Sequence, residues 1–204
     1  MSALTEPGAD STLAYYDQQA AAFCEQTAQV DMSALHAEFL AHIPAGGHLL
    51  DAGCGSGRDS LAFLQQGYRV TAFDASPEIA SRASAHIGQP VRVQGFLEFT
   101  DEARYDGIWA CASLLHLPEA DLPEALGRLW RALKPNGVLY CSLKLGDSER
   151  RDDKGRHFTD ATEPRLRQWL TDLPDIANVH CWITSDKRPD RDERGQRRAD
   201  GDDR

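Results

Sequence analysis

Short apolar runs alternate along the chain with segments in which apolar side chains recur at helical spacing. The runs are rich in β-branched and aromatic residues and predict six strands, at 48–51, 68–74, 90–94, 105–111, 138–143 and 179–184. Helices are predicted before and between them, at 11–30, 32–42, 59–66, 77–87, 122–133 and 165–170. Strands that alternate with helices favour right-handed crossovers. We therefore predict an α/β fold, with a doubly wound and mostly parallel sheet covered by helices on both faces.

This pattern divides the chain into three parts. The two helices before the first strand are expected to form an N-terminal helical cap at residues 1–42, and the alternating elements form the main domain at 43–186. Residues 187–204 contain Ala199 as their only aliphatic or aromatic residue. Such a segment buries too little apolar surface to offset the entropy lost on ordering, so we predict it to be disordered.

Composition is that of a soluble globular protein with one main domain. The 204 residues suffice for a hydrophobic core, and no stretch approaches the roughly 20 apolar residues of a membrane helix. The polar N-terminus lacks the basic and apolar regions of a signal peptide, so we expect a cytoplasmic protein that does not contact membranes. The five cysteines and seven histidines are scattered, which argues against a disulfide framework and against a metal site.

The formal net charge of −10 restricts the class of partner. An acidic surface repels nucleic acid, because binding to phosphate groups requires positive charge. We therefore expect a small-molecule substrate rather than a nucleic acid.

A glycine-rich turn, Asp51-Ala52-Gly53-Cys54-Gly55-Ser56-Gly57, follows the first predicted strand and precedes a helix. A site for a dinucleotide pyrophosphate reads G-x-G-x-x-G, which would require a glycine where Arg58 stands. The observed spacing therefore disfavours a nicotinamide oxidoreductase and suits a cofactor without pyrophosphate, such as S-adenosylmethionine (AdoMet). Asp51 is placed to reach the ammonium group of its methionyl part, and the N–H groups of the turn are placed to take the carboxylate.

An aspartate at the end of the second predicted strand supports the same cofactor. Asp74 follows the glycine turn at about the interval at which an acid accepts hydrogen bonds from ribose hydroxyls, and Ala75 comes next. The alternative is a glycine-rich helix start together with an aspartate that caps a turn. Because both features end strands, we favour a cofactor site.

Several stretches resemble one protein family. They are Tyr15-Tyr16-Asp17, Leu49 to Asp74, Tyr105 to Ala110, Ser113-Leu114-Leu115-His116, Leu133 to Tyr140, and Gly155-Arg156-His157-Phe158-Thr159. Together they resemble the class I AdoMet-dependent methyltransferases, and within these a bacterial small-molecule subgroup related to the tellurite-resistance methyltransferases. The resemblance implies a Rossmann-like fold, a monomer or homodimer, and methyl transfer to a small-molecule acceptor by in-line displacement.

The resemblance also implies roles for residues outside the glycine turn. Phe96 and Leu97 would pack beside the adenine, Cys111 would lie beneath the sulfonium, and Tyr16 would lie on a helix that caps the cofactor. Arg58 would pair with a carboxylate of the cofactor or substrate, or else form a surface ion pair.

Three further residues are candidates for the acceptor side. His116, near the end of the fourth strand, is a candidate general base, with a structural histidine bonded to backbone as the alternative. Arg156 and His157 lie in a loop after the fifth strand that would shape the acceptor site.

The resemblance weakens near the C-terminus. Related proteins continue past the Arg188-Pro189 pair with a seventh strand, whereas the residues that follow here contain no strand-forming run. We therefore expect the seventh strand to be missing or atypical, as in a truncated or frame-shifted chain. This departure keeps open a second interpretation, a non-catalytic AdoMet-binding protein or decayed methyltransferase paralogue.

Overall fold

The computed structural model describes residues 7–185. Six helices are α1 (Pro7–Thr27), α2 (Ser33–Leu40), α3 (Arg58–Gln65), α4 (Pro77–Ile87), α5 (Leu122–Ala132) and α6 (Glu163–Trp169). Seven strands are β1 (His48–Ala52), β2 (Arg69–Asp74), β3 (Arg92–Val93), β4 (Tyr105–Cys111), β5 (Leu133–Ser142), β6 (Glu149–Arg151) and β7 (His157–Thr159). Single turns of 3-10 helix occur at Phe96–Glu98, Leu114–His116 and Glu119–Asp121.

Five strands form the main sheet, in the order β3-β2-β1-β4-β5 with every pair parallel. The chain moves outward from β1 to β2 and β3, then crosses to the other side of β1 to form β4 and β5. The strand order therefore reverses beside β1, and ligands of such sheets bind outside the carboxyl ends of the strands at that point. The predicted doubly wound fold is confirmed.

Adjacent residues of the central strands point to opposite faces of the sheet, and both faces are covered. In β1, Leu49 packs in a cluster with Phe39 of α2 and Phe63 of α3, whereas Leu50 packs on the α5 side. Both side chains are fully buried. Burial on both faces explains why these strands read as continuous apolar runs in the sequence.

Local signals set the ends of the helices as the sequence predicts. The Ser76 hydroxyl accepts the N–H of Ile79 at 3.1 Å, and Pro77 occupies the first helical position of α4. Gly88 ends that helix in the left-handed region, at φ 72°, where a side chain would be strained.

The predicted strand at 179–184 is wrong. These residues lie within the described part of the chain and form neither helix nor strand. Asp175 has a left-handed φ of 57°, and the segment after it meets the sheet through the Trp182 ring, 6.1 Å from the ring of Tyr140 on β5. A β-rich run becomes a strand only where its backbone meets a strand edge in register, which this run does not. The expectations of a missing or atypical seventh strand and of a disordered segment at 187–204 concern residues outside the described part of the chain.

Two other strand predictions differ from the structure. The third strand is shorter than expected and contains only Arg92 and Val93. The turn predicted at 134–137 is instead inserted within β5, where the pairing with β4 shifts between Tyr105 and Gly107.

The segment predicted as a loop after β5 contains an antiparallel hairpin, β6–β7. Its three-residue strands are too short for period-two alternation to reveal them. The hairpin places Arg156 and His157 next to the N-terminal helix.

Candidate active site

A large cavity lies at the carboxyl ends of β1, β2, β4 and β5, where the strand order reverses. Its volume is about 1660 Å³, above the ~300–1,000 Å³ usual for one small ligand. Most of the predicted site residues line it, namely Tyr16, Asp51, Gly53, Cys54, Gly55, Arg58, Asp74, Ala75, Phe96, Leu97, Cys111, His116 and Arg156. The cavity therefore has room for a cofactor and a second molecule.

The glycine turn forms a strip of bare backbone along the cavity. Gly53 and Gly55 have φ values of 73° and 54°, in the left-handed region that favours glycine. A Cβ at Gly53 would lie 2.5 Å from the Cβ of Ser113, and one at Gly55 would lie 3.2 Å from the Phe23 ring. A side chain at Gly53 would clash and one at Gly55 would be tight and strained, so the turn leaves bare backbone that a ligand can approach closely.

The N–H groups of this turn are partly engaged by the protein itself. Gly53 and Cys54 both donate to the carbonyl oxygen of Phe73 at 2.9 Å, and Gly55 donates to Asp74 Oδ2 at 3.0 Å. A ligand carboxylate would therefore be met by the first-turn N–H groups of α3, which have no partner within the helix. Binding of the methionyl carboxylate by the N–H groups of the glycine turn stays a prediction.

Asp74 is held at the end of β2 by backbone donors. Its second oxygen, Oδ1, accepts the N–H of Ser76 at 3.0 Å. Burial raises the pKa of Asp74, and these two N–H groups oppose that rise. Each carboxylate oxygen can accept a further hydrogen bond, so the group is held in place and can still accept from a ligand hydroxyl.

Asp51 lies at the other end of the glycine turn. It is buried and accepts a hydrogen bond of 2.6 Å from the Ser60 hydroxyl. Burial, together with the nearby negative charge of Asp59, raises the pKa of Asp51. A cationic ligand group beside it would favour the ionised form.

Asp59 joins three donors and was not among the residues singled out from the sequence. It accepts from His36 Nε2 at 2.9 Å, Trp109 Nε1 at 2.9 Å, and Arg58, whose two contacts are 2.8 and 2.7 Å. Burial alone would raise the pKa of Asp59, but the hydrogen bonds from His36 and Arg58 hold it well below its usual range. Two alternatives were predicted for Arg58, a bond to a ligand carboxylate or a surface ion pair. Arg58 forms an ion pair with Asp59, and this pair is largely buried rather than on the surface.

The remaining predicted cofactor residues lie along one wall. Phe96 packs edge-on against Phe73, with ring centroids 5.2 Å apart, and both it and Leu97 line the cavity. Cys111, at the end of β4, lines the floor. Burial raises the pKa of the Cys111 thiol to about 11, so this thiol is not a nucleophile at neutral pH.

Tyr16 and His116 form a hydrogen-bonded pair that separation in the sequence concealed. The Nδ1 of His116 lies 2.7 Å from the carbonyl oxygen of His157, which can only accept, so Nδ1 carries the proton. Nε2 is then the acceptor for the Tyr16 hydroxyl, 2.8 Å away. Burial lowers the pKa of His116 to about 4, which keeps the ring neutral at pH 7. The structure thus shows both the bond to backbone and an imidazole lone pair at the cavity wall.

The two hairpin residues predicted for the acceptor site, Arg156 and His157, differ in their contact with the cavity. Arg156 is buried, lines the cavity and is held by Asp152 at 2.6 and 2.9 Å. His157 instead directs its ring nitrogen Nε2 to Thr159 at 3.1 Å and to Glu149 at 3.2 Å. His157 therefore acts on the cavity through its backbone carbonyl and not through its ring.

The N-terminal helix covers the cavity and is fastened on two sides. On one side, the Ser76 hydroxyl at the start of α4 donates to Asp17. On the other side, the N–H of His157 lies 2.8 Å from the Thr12 hydroxyl oxygen. These contacts set the position of Tyr16, which lies between them.

Comparison with known proteins places this cavity in a family context. Residues 24–187 match a family model described as a methyltransferase domain. The chain is 31% identical over 118 residues to a putative methyltransferase of Bacillus subtilis, which covers 52% of this chain and 48% of that protein. It is 34% identical over 122 residues to a malonyl-[acyl-carrier protein] O-methyltransferase of Serratia marcescens, covering 55% and 47%. The chain thus spans about half the length of the curated relatives it matches.

Solved structures resemble the fold over more of the chain. A 1,6-didemethyltoxoflavin-N1-methyltransferase of Burkholderia thailandensis, with bound substrate and S-adenosylhomocysteine, is 28% identical with a TM-score of 0.64, covering 84% of this chain and 80% of that one. A magnesium protoporphyrin IX methyltransferase from Synechocystis has the same TM-score, 0.64, at 18% identity, covering 84% and 88%, and this likeness concerns the fold alone. Within residues 7–185 we find no helix long and apolar enough to cross a membrane.

Proposed function

Because the chain belongs to the methyltransferase domain family, we propose that it transfers a methyl group from AdoMet to a small-molecule acceptor in this cavity. When bound, AdoMet supplies an electrophilic methyl group on a sulfonium, which leaves by in-line displacement. The related 1,6-didemethyltoxoflavin-N1-methyltransferase binds S-adenosylhomocysteine, the product of such a transfer, together with 1,6-didemethyltoxoflavin. That likeness supports the cofactor and the class of acceptor.

One observation carries the proposal more than any other. A strip of backbone with glycines in the left-handed region lies between the carboxylates of Asp51 and Asp74, and all three line one cavity. Asp51 would hold the ammonium of the methionyl group and Asp74 the ribose hydroxyls. The adenine would lie against Phe96 and Leu97.

The chain's own residues supply positioning on the acceptor side. Methyl transfer from a sulfonium needs alignment of the acceptor and exclusion of water more than acid or base chemistry. Tyr16 and His116 would orient the acceptor. The electron pair of His116 Nε2 accepts the Tyr16 hydroxyl, so a proton lost by the acceptor would reach Nε2 through that hydroxyl. The Nδ1–H bond to the His157 carbonyl fixes the tautomer that this role requires.

The setting of the enzyme is part of the same proposal. All five cysteines are free thiols, which suits a reducing cytoplasm. We expect a monomer or homodimer, with no nucleic-acid partner because of the acidic charge balance. The relation to tellurite-resistance methyltransferases stays a prediction.

Calorimetric titration with AdoMet, S-adenosylhomocysteine and NAD tests the cofactor assignment. We expect both adenosyl ligands to bind and NAD not to bind. Asp74→Ala should weaken S-adenosylhomocysteine by about tenfold or more, which corresponds to about 1.4 kcal/mol. Asp172→Ala, which removes an exposed carboxylate that lies after α6 and does not line the cavity, is the matched control. Unchanged affinity in Asp74→Ala would refute the ribose assignment.

A second measurement separates the enzyme from a non-catalytic AdoMet-binding protein. Release of S-adenosylhomocysteine should be followed over a panel of small hydroxyl, amine, thiol and carboxylate acceptors. Turnover of any member supports the enzyme. Tight binding of AdoMet without turnover across the panel would favour the binding protein.

A further inference from the structure

Cationic side chains surround the acceptor end of the cavity. Lys144, just after β5, places its Nζ 4.0 Å from the centroid of the Phe158 ring. The Arg156 guanidinium lies 5.2 Å from the same centroid. Both cations line the cavity, and Phe158 is buried. A positive cluster here runs against the net charge of −10 of the whole chain.

The position of Arg156 is fixed. It is bound through two nitrogens to the Asp152 carboxylate, and its guanidinium also stacks over the Tyr15 ring at 4.8 Å. The third cation near Phe158, Arg150, is held by Asp160 and is not among the residues that line the cavity. Among the described residues, Lys144 and Arg156 are therefore the cations beside Phe158 that line the cavity.

The groups around His116 agree with a positive local field. Burial is the main cause of the lowered pKa of His116, and the side chains of Arg156, Lys144 and His157 also disfavour its protonation. The carboxylates of Asp51, which is buried, and Asp74, which is partly buried, line the cavity at the glycine turn instead. The two ends of the cavity thus differ in the sign of their charge.

The acceptor end also presents apolar surface. Leu13 of α1 and Leu145 after β5 are among the exposed large apolar side chains, at 36% and 41%, and both line the cavity. The buried Leu115 and Phe158 continue this surface inward. An inorganic ion would leave it in contact with water, whereas an organic molecule would cover it.

We propose that the methyl acceptor is a small organic anion, whose negative group is bound by Lys144 and Arg156 and whose apolar body covers Leu13, Leu115 and Leu145. This inference rests on the proposed function, since it concerns the second substrate of the same cavity. The negative group pairs with the cations, and the nucleophilic atom lies beside the Tyr16–His116 pair.

Titration of the protein saturated with S-adenosylhomocysteine tests this inference. The probes are benzoate and benzamide, which match in size and shape but differ in charge. We expect benzoate to bind at least about tenfold more tightly than benzamide. Lys144→Gln should weaken benzoate about tenfold and leave benzamide unchanged, and Lys144→Arg should restore benzoate binding. Lys154→Gln is the matched control, because Lys154, in the β6–β7 hairpin, is exposed and does not line the cavity.

Each outcome decides the inference. Equal affinity for benzoate and benzamide, absence of benzoate binding, or benzoate affinity unchanged in Lys144→Gln would overturn it. Selenite that binds as tightly as benzoate would overturn the organic part, because it lacks an apolar body. Failure of S-adenosylhomocysteine to saturate the protein would instead overturn the proposed function, and this inference with it.

Discussion

Protonation of His116 should destabilise the folded protein. Its Nδ1–H donates to the His157 carbonyl and its Nε2 accepts from Tyr16, so an added proton on Nε2 would face a hydroxyl that now donates to it. Burial, assisted by the positive charges of Arg156 and Lys144, lowers the pKa of His116 from 6.5 to about 4. In the unfolded chain the same ring takes up its proton near the ordinary value.

The size of the effect follows from these two values. Between about pH 4 and pH 6.5 the unfolded chain binds a proton at His116 that the folded protein does not. The stabilisation contributed by His116 is therefore complete above about pH 6.5 and is lost as the pH falls from there to about 4. At about 1.4 kcal/mol per pKa unit, the loss approaches roughly 3 kcal/mol. Asp51 and Asp74 act in the opposite sense, because their raised pKa values make stability fall as the pH rises.

A matched variant isolates the histidine from these carboxylates. In His116→Asn the amide nitrogen can still donate to the His157 carbonyl, but the side chain does not titrate. Urea unfolding of wild type and His116→Asn across this pH range gives a free energy of unfolding for each protein at each pH. The contributions of the carboxylates are the same in both and cancel in the difference. We expect the advantage of wild type to shrink by roughly 3 kcal/mol from neutral pH to about pH 4. His86→Asn, at an exposed position of α4, controls for the loss of a histidine as such. A difference that stays flat with pH in His116→Asn would refute the reasoning.

Two substitutions test how the glycine turn and its supports are built. Gly53→Ala should lower the free energy of unfolding by about 2–3 kcal/mol, because it combines a left-handed φ with a Cβ 2.5 Å from Ser113. Gly67→Ala, also left-handed but with no atom within 4 Å, should cost only about 1 kcal/mol, and equal losses would show that the contact with Ser113 does not matter. Asp59→Ala should cost about 3–5 kcal/mol in urea unfolding, because it leaves the buried His36 and the partly buried Arg58 without their acceptor. A loss under about 1 kcal/mol would contradict the assigned role of Asp59.

The sheet could be predicted because its determinants are local. Leu49 and Leu50 lie on opposite faces of one strand, and covering both faces requires an unbroken apolar run that sequence alone reveals. The glycine turn is equally local, since positive φ values at Gly53 and Gly55 demand glycine whatever surrounds them. The run at 179–184 has the same composition as a strand but forms none, because pairing depends on an edge that distant residues must provide.

The contacts that organise the acceptor end were hidden for the same reason. Tyr16 and His116 are 100 residues apart, and the packing of α1 against α4 and the β6–β7 hairpin brings them together. Asp59 reads in the sequence as an acid in the first turn of a helix, where it would stabilise the helix dipole. Its partners His36 and Trp109 come from α2 and β4, so its role as a buried acceptor follows from the fold and not from its neighbours in sequence.

The net charge of the chain predicts which large partners it repels, but not the local charge inside the cavity. A net charge of −10 describes the field that a large polyanion meets across the surface, and it argues against nucleic acid on that scale. A small anion inside the cavity meets a different field, because exposed charges beyond about 8 Å are largely screened at physiological salt. Lys144 and Arg156 lie within a few ångströms of Phe158 and dominate there. An acidic protein can therefore select an anionic acceptor, and the acidic exterior lowers the competition from polyanions for the same two cations.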